Sequence, residues 1–503
     1  MANGSDKKVR EKRKVYLAGE ERQPVDWKRV FFILLGLALF FIVYFSPDWG
    51  AAVDPTGKAF PLTREAKAAI GLFLLASVWW VFEVVPIGIT AVMIGVVQAL
   101  FLIRDPQIVF TDFMDPSVWF IFASIVIGLA FAKTGLTKRM AYRMLTFVGE
   151  KTAMIYLGVF TMIALLTLIM AHTAVAAAMF PLLMTIYSLY DPDGGVSKFG
   201  KGLFVGMAFI AGAGSIITLP GSARAAVAIG FFKNMTGYEI GFFELTYYLL
   251  PLGLVMVLLI WGFLLMMFKP EKSTIPGLTE KVKILSNRLG GMNRNESLTL
   301  IIVFAAILLL SLRSFIPALE SLNKSGILLV TTVSFFVFKI LEVKDLEDVP
   351  WNIILLFGGA MCIGFCLWKT GAADWLAVNW LILFKDSSWF VFVMMTAFFV
   401  LIMTNFIMNV AAIAITLPVA LATCQYLGVA PHVVMFSCLV TAGMPFMLLI
   451  GAAPNAIAYE SRQFTSGEFL KAGIPMSIIL MVVLGLFVWL IWPMMGMPVL
   501  IAK

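Results

Sequence analysis

Residues 153–190 read AMIYLGVFTMIALLTLIMAHTAVAAAMFPLLMTIYSLY, 38 consecutive positions without a single Asp, Glu, Lys or Arg. A bilayer core is crossed by about 20 apolar residues, so this run is nearly twice too long for one crossing. Its one polar interruption is Ala171-His172-Thr173, near the middle. Residues 388–425 repeat the pattern: 38 positions without a formal charge, broken around Asn405 and Asn409. Each run reads as two half-helices folded back at a polar tip. The rest of the chain is the setting for these two hairpins.

That setting is a membrane. Of the 503 residues, 61% are hydrophobic and only 13% are charged, against about 25% charged in an ordinary soluble domain. The composition excludes a soluble enzyme, a disordered chain and a nucleic-acid binder. The apolar runs are far longer than the alternating segments of about ten residues that build membrane barrels, so the expected fold is an all-α polytopic membrane protein. The net charge of +8 is read as Lys and Arg in cytoplasmic loops. Residues 1–28 are read as a cytosolic basic tail, too polar for a signal peptide. The four cysteines, Cys362, Cys366, Cys424 and Cys438, lie in apolar segments without metal or redox spacing, and are read as small core residues.

Around the hairpins, single spans are expected near 29–46, 66–82, 84–104, 117–135, 243–268, 297–315, 326–342, 351–372 and 473–496. Two further spans are broken: 202–233 by Gly212, Gly214, Pro220 and Gly221, and 432–463 by Gly443, Gly451 and Pro454. This makes eleven transmembrane helices plus two re-entrant hairpins. Re-entrance places the basic segments 1–29, 133–151 and 269–294 on one side, as the positive-inside rule requires. Crossing hairpins would put the basic 269–295 linker on the wrong side. The N-terminus is then cytoplasmic and the C-terminus extracytoplasmic.

The two halves echo each other. Lys133-Thr134-Gly135 recurs 236 positions later as Lys369-Thr370-Gly371. His172-Thr173-Ala174 with Pro181 recurs 237 positions later as Asn409-Val410-Ala411 with Pro418. The expected division is a first span plus repeat 1 over 29–268, the linker 269–295, and repeat 2 over 296–503. Five crossings separate equivalent elements. The number is odd, so the halves have opposite orientation. Inverted repeats with interrupted helices mark secondary transporters, which bind substrate where the breaks meet. Helix N-termini at the breaks favour an anion.

Paired hairpin tips, each nine residues before a proline and each followed by a glycine-broken helix, resemble the divalent anion/sodium symporter (DASS) family. The likeness runs from about residue 29 to the end. It implies an elevator-type transporter, usually a homodimer in the cell membrane, carrying dicarboxylates, citrate or sulfate. Its scaffold and transport domains would move past one another, and no enzyme activity or cofactor is implied. In that family each tip reads Ser-Asn-Thr and touches the substrate, each broken helix carries a Gly-Thr-Pro-Pro-Asn-like run, and tips and loops bind sodium.

Carried over residue by residue, the resemblance assigns the substrate site to Ala171, His172 and Thr173 at one tip and Met408, Asn409 and Val410 at the other. Ser222 and Arg224 come from the first broken helix, Pro454 and Asn455 from the second. The departures matter. Serine is missing from both tips, and repeat 1 has gained His172 and Arg224. A guanidinium 4 Å from a sodium ion opposes it by about 4 kcal/mol at an effective dielectric near 20. Arg224, with His172, is therefore expected to replace a cation. The resemblance then points to the family's exchanger branch, with sodium-independent antiport of C4–C5 dicarboxylates such as succinate, malate or 2-oxoglutarate. Three alternatives stand beside it: a sodium-coupled dicarboxylate or citrate symporter, an anion channel and a membrane-embedded enzyme. Residue by residue, Arg224 could instead snorkel to an interface, His172 could be a core histidine, and Asn409 and Asn455 could cap helices. Asn405, one turn before Asn409, could substitute for it. Lys133 and Lys369 are read as interfacial anchors. The near phosphate-loop from Gly195 to Gly202 lacks the required Ser or Thr after Lys201, and two histidines make no metal cluster.

Overall fold

The computed structural model describes residues 26–53, 58–313, 315–384, 387–406 and 408–501. Apart from two paired two-residue strands, Ala52–Val53 and Ala59–Phe60, the described chain is helical. Most of the expected basic tail lies outside the described residues.

The elements follow the expected order. The first three helices are α1 (Trp27–Phe45), α2 (Arg64–Val81) and α3 (Ile87–Leu100). A short α4 (Pro106–Asp112) leads into α5 (Pro116–Thr134) and α6 (Leu136–Val148). The first hairpin is α7 (Thr152–Thr167) and α8 (His172–Tyr190). The first broken helix is α9 (Lys198–Ser215) and α10 (Ala223–Thr236), followed by α11 (Phe242–Met267). The linker carries α12 (Leu278–Arg288). Then come α13 (Arg294–Leu312), α14 (Lys324–Val337), α15 (Trp351–Lys369) and α16 (Ala372–Phe384). The second hairpin is α17 (Trp389–Phe406) and α18 (Asn409–Leu427). The second broken helix is α19 (Pro431–Ala442) and α20 (Ala453–Tyr459), and α21 (Ser466–Leu486) closes the fold. Among the described residues, nine helical stretches are long and apolar enough to cross a membrane, and four shorter apolar helices accompany them.

The repeat is visible as matched helices. α5 and α15 both have 19 residues, α6 and α16 both 13, and α8 and α18 both 19. Gly135 and Gly371 each adopt positive φ, +81° and +78°, the left-handed helix end that glycine reaches without strain. The turn after each lets a second helix leave at an angle.

Four of these helices were not expected. α4 falls between the spans read at 84–104 and 117–135, α6 and α16 follow Gly135 and Gly371, and α12 lies in what reads as linker. α6 carries Lys138, Arg139 and Arg143 and looks like a basic loop in sequence. Arg139 is buried and forms a two-point ion pair with Glu296 at 2.9 Å on each arm. It also donates to the carbonyl oxygens of Leu289, Gly290 and Gly291. Removing one partner of such a buried pair costs about 3–5 kcal/mol, so α6 is held firmly against the start of α13.

Helix packing sorts the elements into two groups. α7, α8, α9 and α11 pack with one another and with α20 and α21, while α10 packs on α18 and α19, the partners of α17. α1–α5 and α13–α15 form the other group, in which α14 lies on α5 and α15 on α3. The groups meet where α5 touches α8 and α10, and where α15 touches α18. Small residues permit this approach: a Cβ on Gly128 would lie 2.7 Å from that of Ala174. The four cysteines are buried and free, as expected of core residues.

Candidate functional site

The chain stops being helical at four places inside the apolar body. α7 ends at Thr167, and α8 starts after Ala171, whose backbone lies at φ −56°, ψ 135°. α18 starts after Met408 at φ −59°, ψ 142°. The two tips therefore share one backbone geometry. Neither helix start has a side-chain cap, so their first N–H groups remain available to a ligand. The broken helices press on these tips in the same way. A Cβ on Gly221 would overlap the Thr167 carbonyl oxygen, and one on Gly451 would lie 2.7 Å from the Thr404 carbonyl oxygen. No side chain larger than glycine fits at either contact.

The two tips face a common cavity of about 390 Å³, within the roughly 300–1,000 Å³ typical of small-molecule sites. Ala171, His172 and Thr173 line it from one side, and Met408, Asn409 and Val410 from the other. Arg224 reaches it from the start of α10. Seven of the ten residues assigned from sequence are thus brought together. Apolar groups of α5 and α15, among them Ile125, Leu129, Ile353 and Phe357, close most of the remaining wall, and the exposed Asp348, before α15, lines it as well.

Arg224 does not snorkel. Its side chain is 1% exposed. Nη2 donates to Ser215 Oγ at 2.9 Å, and Ser215 in turn donates to the Gly212 carbonyl oxygen. Nε and Nη1 have no hydrogen-bond partner among the described residues, nor do His172 Nδ1 and Asn409 Nδ2. No carboxylate lies within ion-pair distance of Arg224 among the described residues. Buried polar nitrogens are nearly always paired, and a buried charge without a counter-charge is costly. Three of these four atoms are donors or belong to a cation. Together with two uncapped helix starts they suit an anion bearing several acceptor oxygens. Room for the guanidinium comes from Gly443, where a Cβ would lie 2.5 Å from Nη2.

Ser222, Pro454 and Asn455 do not line the cavity. Ser222 is the N-cap of α10 and accepts from the Ala225 N–H at 3.3 Å. Asn455 donates to the carbonyl oxygens of Pro445 and Leu448 at 2.8 and 3.0 Å. Asn405 does not face the cavity in place of Asn409: it accepts from the N–H groups of Met447 and Leu448. These amides hold the loop 443–452 in shape. Residues not assigned from sequence also take part: Ser215, Gly443 and the α5–α15 wall. The wall could have been anticipated from the repeat of α5 and α15; the Ser215 and Gly443 contacts depend on how the two broken helices cross. Lys133 pairs with Asp345, and Lys369 lies over the Trp368 ring, so neither reaches the cavity. No cluster of metal-ligating side chains occurs among the described residues.

Known proteins agree with this architecture. A solved transporter, YdaH of Alcanivorax borkumensis, has a similar fold, with a TM-score of 0.56 over 94% of this chain and 98% of its own, at 13% identity. A sodium-dependent dicarboxylate transporter, SdcS of Staphylococcus saprophyticus, is 24% identical over 85% of this chain and 88% of its own length. SdcS of Staphylococcus aureus is 22% identical over 94% and 93%. Residues 33–498 match the family described as "Sodium:sulfate symporter transmembrane region". The chain is therefore a membrane transporter belonging to that family, the divalent anion/sodium symporters that its paired tips resemble.

Proposed function

We propose that this chain carries small dicarboxylates across the cell membrane, binding them in the cavity between the two tips. One observation carries the reading: His172, Arg224 and Asn409, which hold four buried nitrogen atoms without partners among the described residues, all line one cavity. A C4–C5 dicarboxylate offers a carboxylate to Arg224 and another to the Asn409 tip, while its methylene groups meet Ile125 and Phe357. The names of the SdcS relatives support the dicarboxylate class and favour sodium-coupled symport. They do not support the sodium-independent antiport expected from sequence. Transport proceeds by sliding of the tip-bearing helices along α5 and α15, in an elevator movement of a homodimer.

The exchange reading retains one specific observation. Arg224 brings a fixed positive charge to the place where repeat 1 would hold sodium. A channel or an enzyme draws no comparable support from the site. Uptake of labelled succinate into proteoliposomes, with a panel of malate, 2-oxoglutarate, citrate and sulfate as competitors, tests the proposal. Sodium-driven uptake is expected. Succinate counterflow undiminished in sodium-free buffer would move the conclusion to exchange, and no transport of any dicarboxylate would remove it.

A further inference from the structure

A second cavity, of about 530 Å³, lies at the other end of α5. The first cavity is lined by α5 residues 125–132, the second by residues 116–120. α10 connects them: Arg224 reaches the first cavity, and Gly230 and Lys233 line the second. At the second cavity three cations gather on one carboxylate. Glu239 Oε2 accepts from Lys233 at 2.6 Å, and its Oε1 lies 2.9 Å from Lys324 Nζ and 3.4 Å from Arg313 Nη2. Lys324, only 8% exposed, also donates to the Ile240 carbonyl oxygen. Asp115 and Glu320 line the same cavity but pair with none of these cations among the described residues.

The two sides of this cluster belong to different packing groups. Glu239 lies in the loop between α10 and α11; α10 carries Arg224 and packs chiefly on α18, and α11 packs chiefly on α7, α9 and α21, while α10 meets α5 and α11 meets α13 along the boundary. Lys324 opens α14, and Arg313 ends α13, both of which pack on α5. The contact therefore spans the boundary that must slide if the site is to move. One helical turn of displacement, about 5.4 Å, would part Glu239 from both cations, since no 2.9 Å pair survives it. Burial pushes the Glu239 carboxyl up. The hydrogen bond from Lys233 and the charges of Lys324 and Lys233 outweigh burial and hold it at about 2. It is ionised throughout the neutral range.

We propose that Glu239 is the bolt of an ionic latch, which holds the tip-bearing helices against the α13–α14 corner in the present conformation and releases when the substrate cavity is carried to the other face. The inference rests on the transport reading above, but its test does not require transport. Spin labels at Asn234→Cys and Ser321→Cys, both exposed, report the distance across the latch in the full-length protein in liposomes; the four native cysteines are buried. The unaltered latch should give one short distance. Glu239→Gln should add a second population, longer by about 5 Å. The charge-preserving Glu239→Asp should retain the short one and shows that the fold is intact. Identical distance distributions with and without Glu239→Gln would overturn the latch, whatever the succinate uptake assay reports.

Discussion

The two tip-and-loop pairs share a backbone and differ in what they place upon it. In both, a threonine carbonyl oxygen at the end of the first half-helix presses on a loop glycine: Thr167 on Gly221, Thr404 on Gly451. In both, an uncapped helix start faces the cavity. Repeat 1 then sends in a guanidinium, with His172 beside it. Repeat 2 sends in one amide, Asn409, and uses two more, Asn405 and Asn455, to tie its own loop. The comparison separates two jobs that sequence alone merges. One repeat supplies fixed charge; the other supplies a rigid, neutral counterpart. A dianion held between them would be charge-paired at one end and bound by neutral donors at the other.

The largest effect should come from the charge. Arg224→Gln removes a cation with two free donors, and hydrogen bonds to charged groups contribute about 1.5–3 kcal/mol each. Succinate uptake at subsaturating concentration should fall about 100-fold or more, with the protein still folded by gel filtration; a fall under threefold would break the asymmetry. Next comes Asn455→Ala, which leaves the Pro445 and Leu448 carbonyl oxygens without their donor and should cost about 1–3 kcal/mol. A lowered melting temperature in detergent checks it. An unchanged melting temperature with lost binding would instead put Asn455 in the substrate site. Gly443→Ala is subtler. The new methyl forces the Arg224 guanidinium aside, and the half-saturation concentration should rise on the order of tenfold, because a displaced positioning group weakens binding sharply. Smallest is Ser222→Ala. Loss of an N-cap costs about 1 kcal/mol, visible as a modest drop in melting temperature with near-normal uptake.

Much of this arrangement is legible in the order of residues alone. An apolar run of 38 residues with one polar break has few foldings in a bilayer, so both hairpins and their tips follow from length and hydrophobicity. An arginine inside an apolar glycine-broken segment must find an anion or an interface; its position two residues into α10, behind the Ser222 cap, aims it at the cavity. What sequence does not show is how a polar side chain divides between ligand and backbone. Asn409 and Asn455 look alike in sequence, yet the amide nitrogen of one has no partner among the described residues and that of the other is spent on loop carbonyls. The same holds for α6. Its charges read as a solvated loop because the partner that buries Arg139, Glu296, lies 157 positions away.

The most direct test is equilibrium binding of labelled succinate to the purified wild-type protein and to Arg224→Gln, each with and without sodium. Saturable binding that sodium strengthens is expected for the wild type, and its loss in the variant under both conditions. Undiminished binding to Arg224→Gln would contradict it.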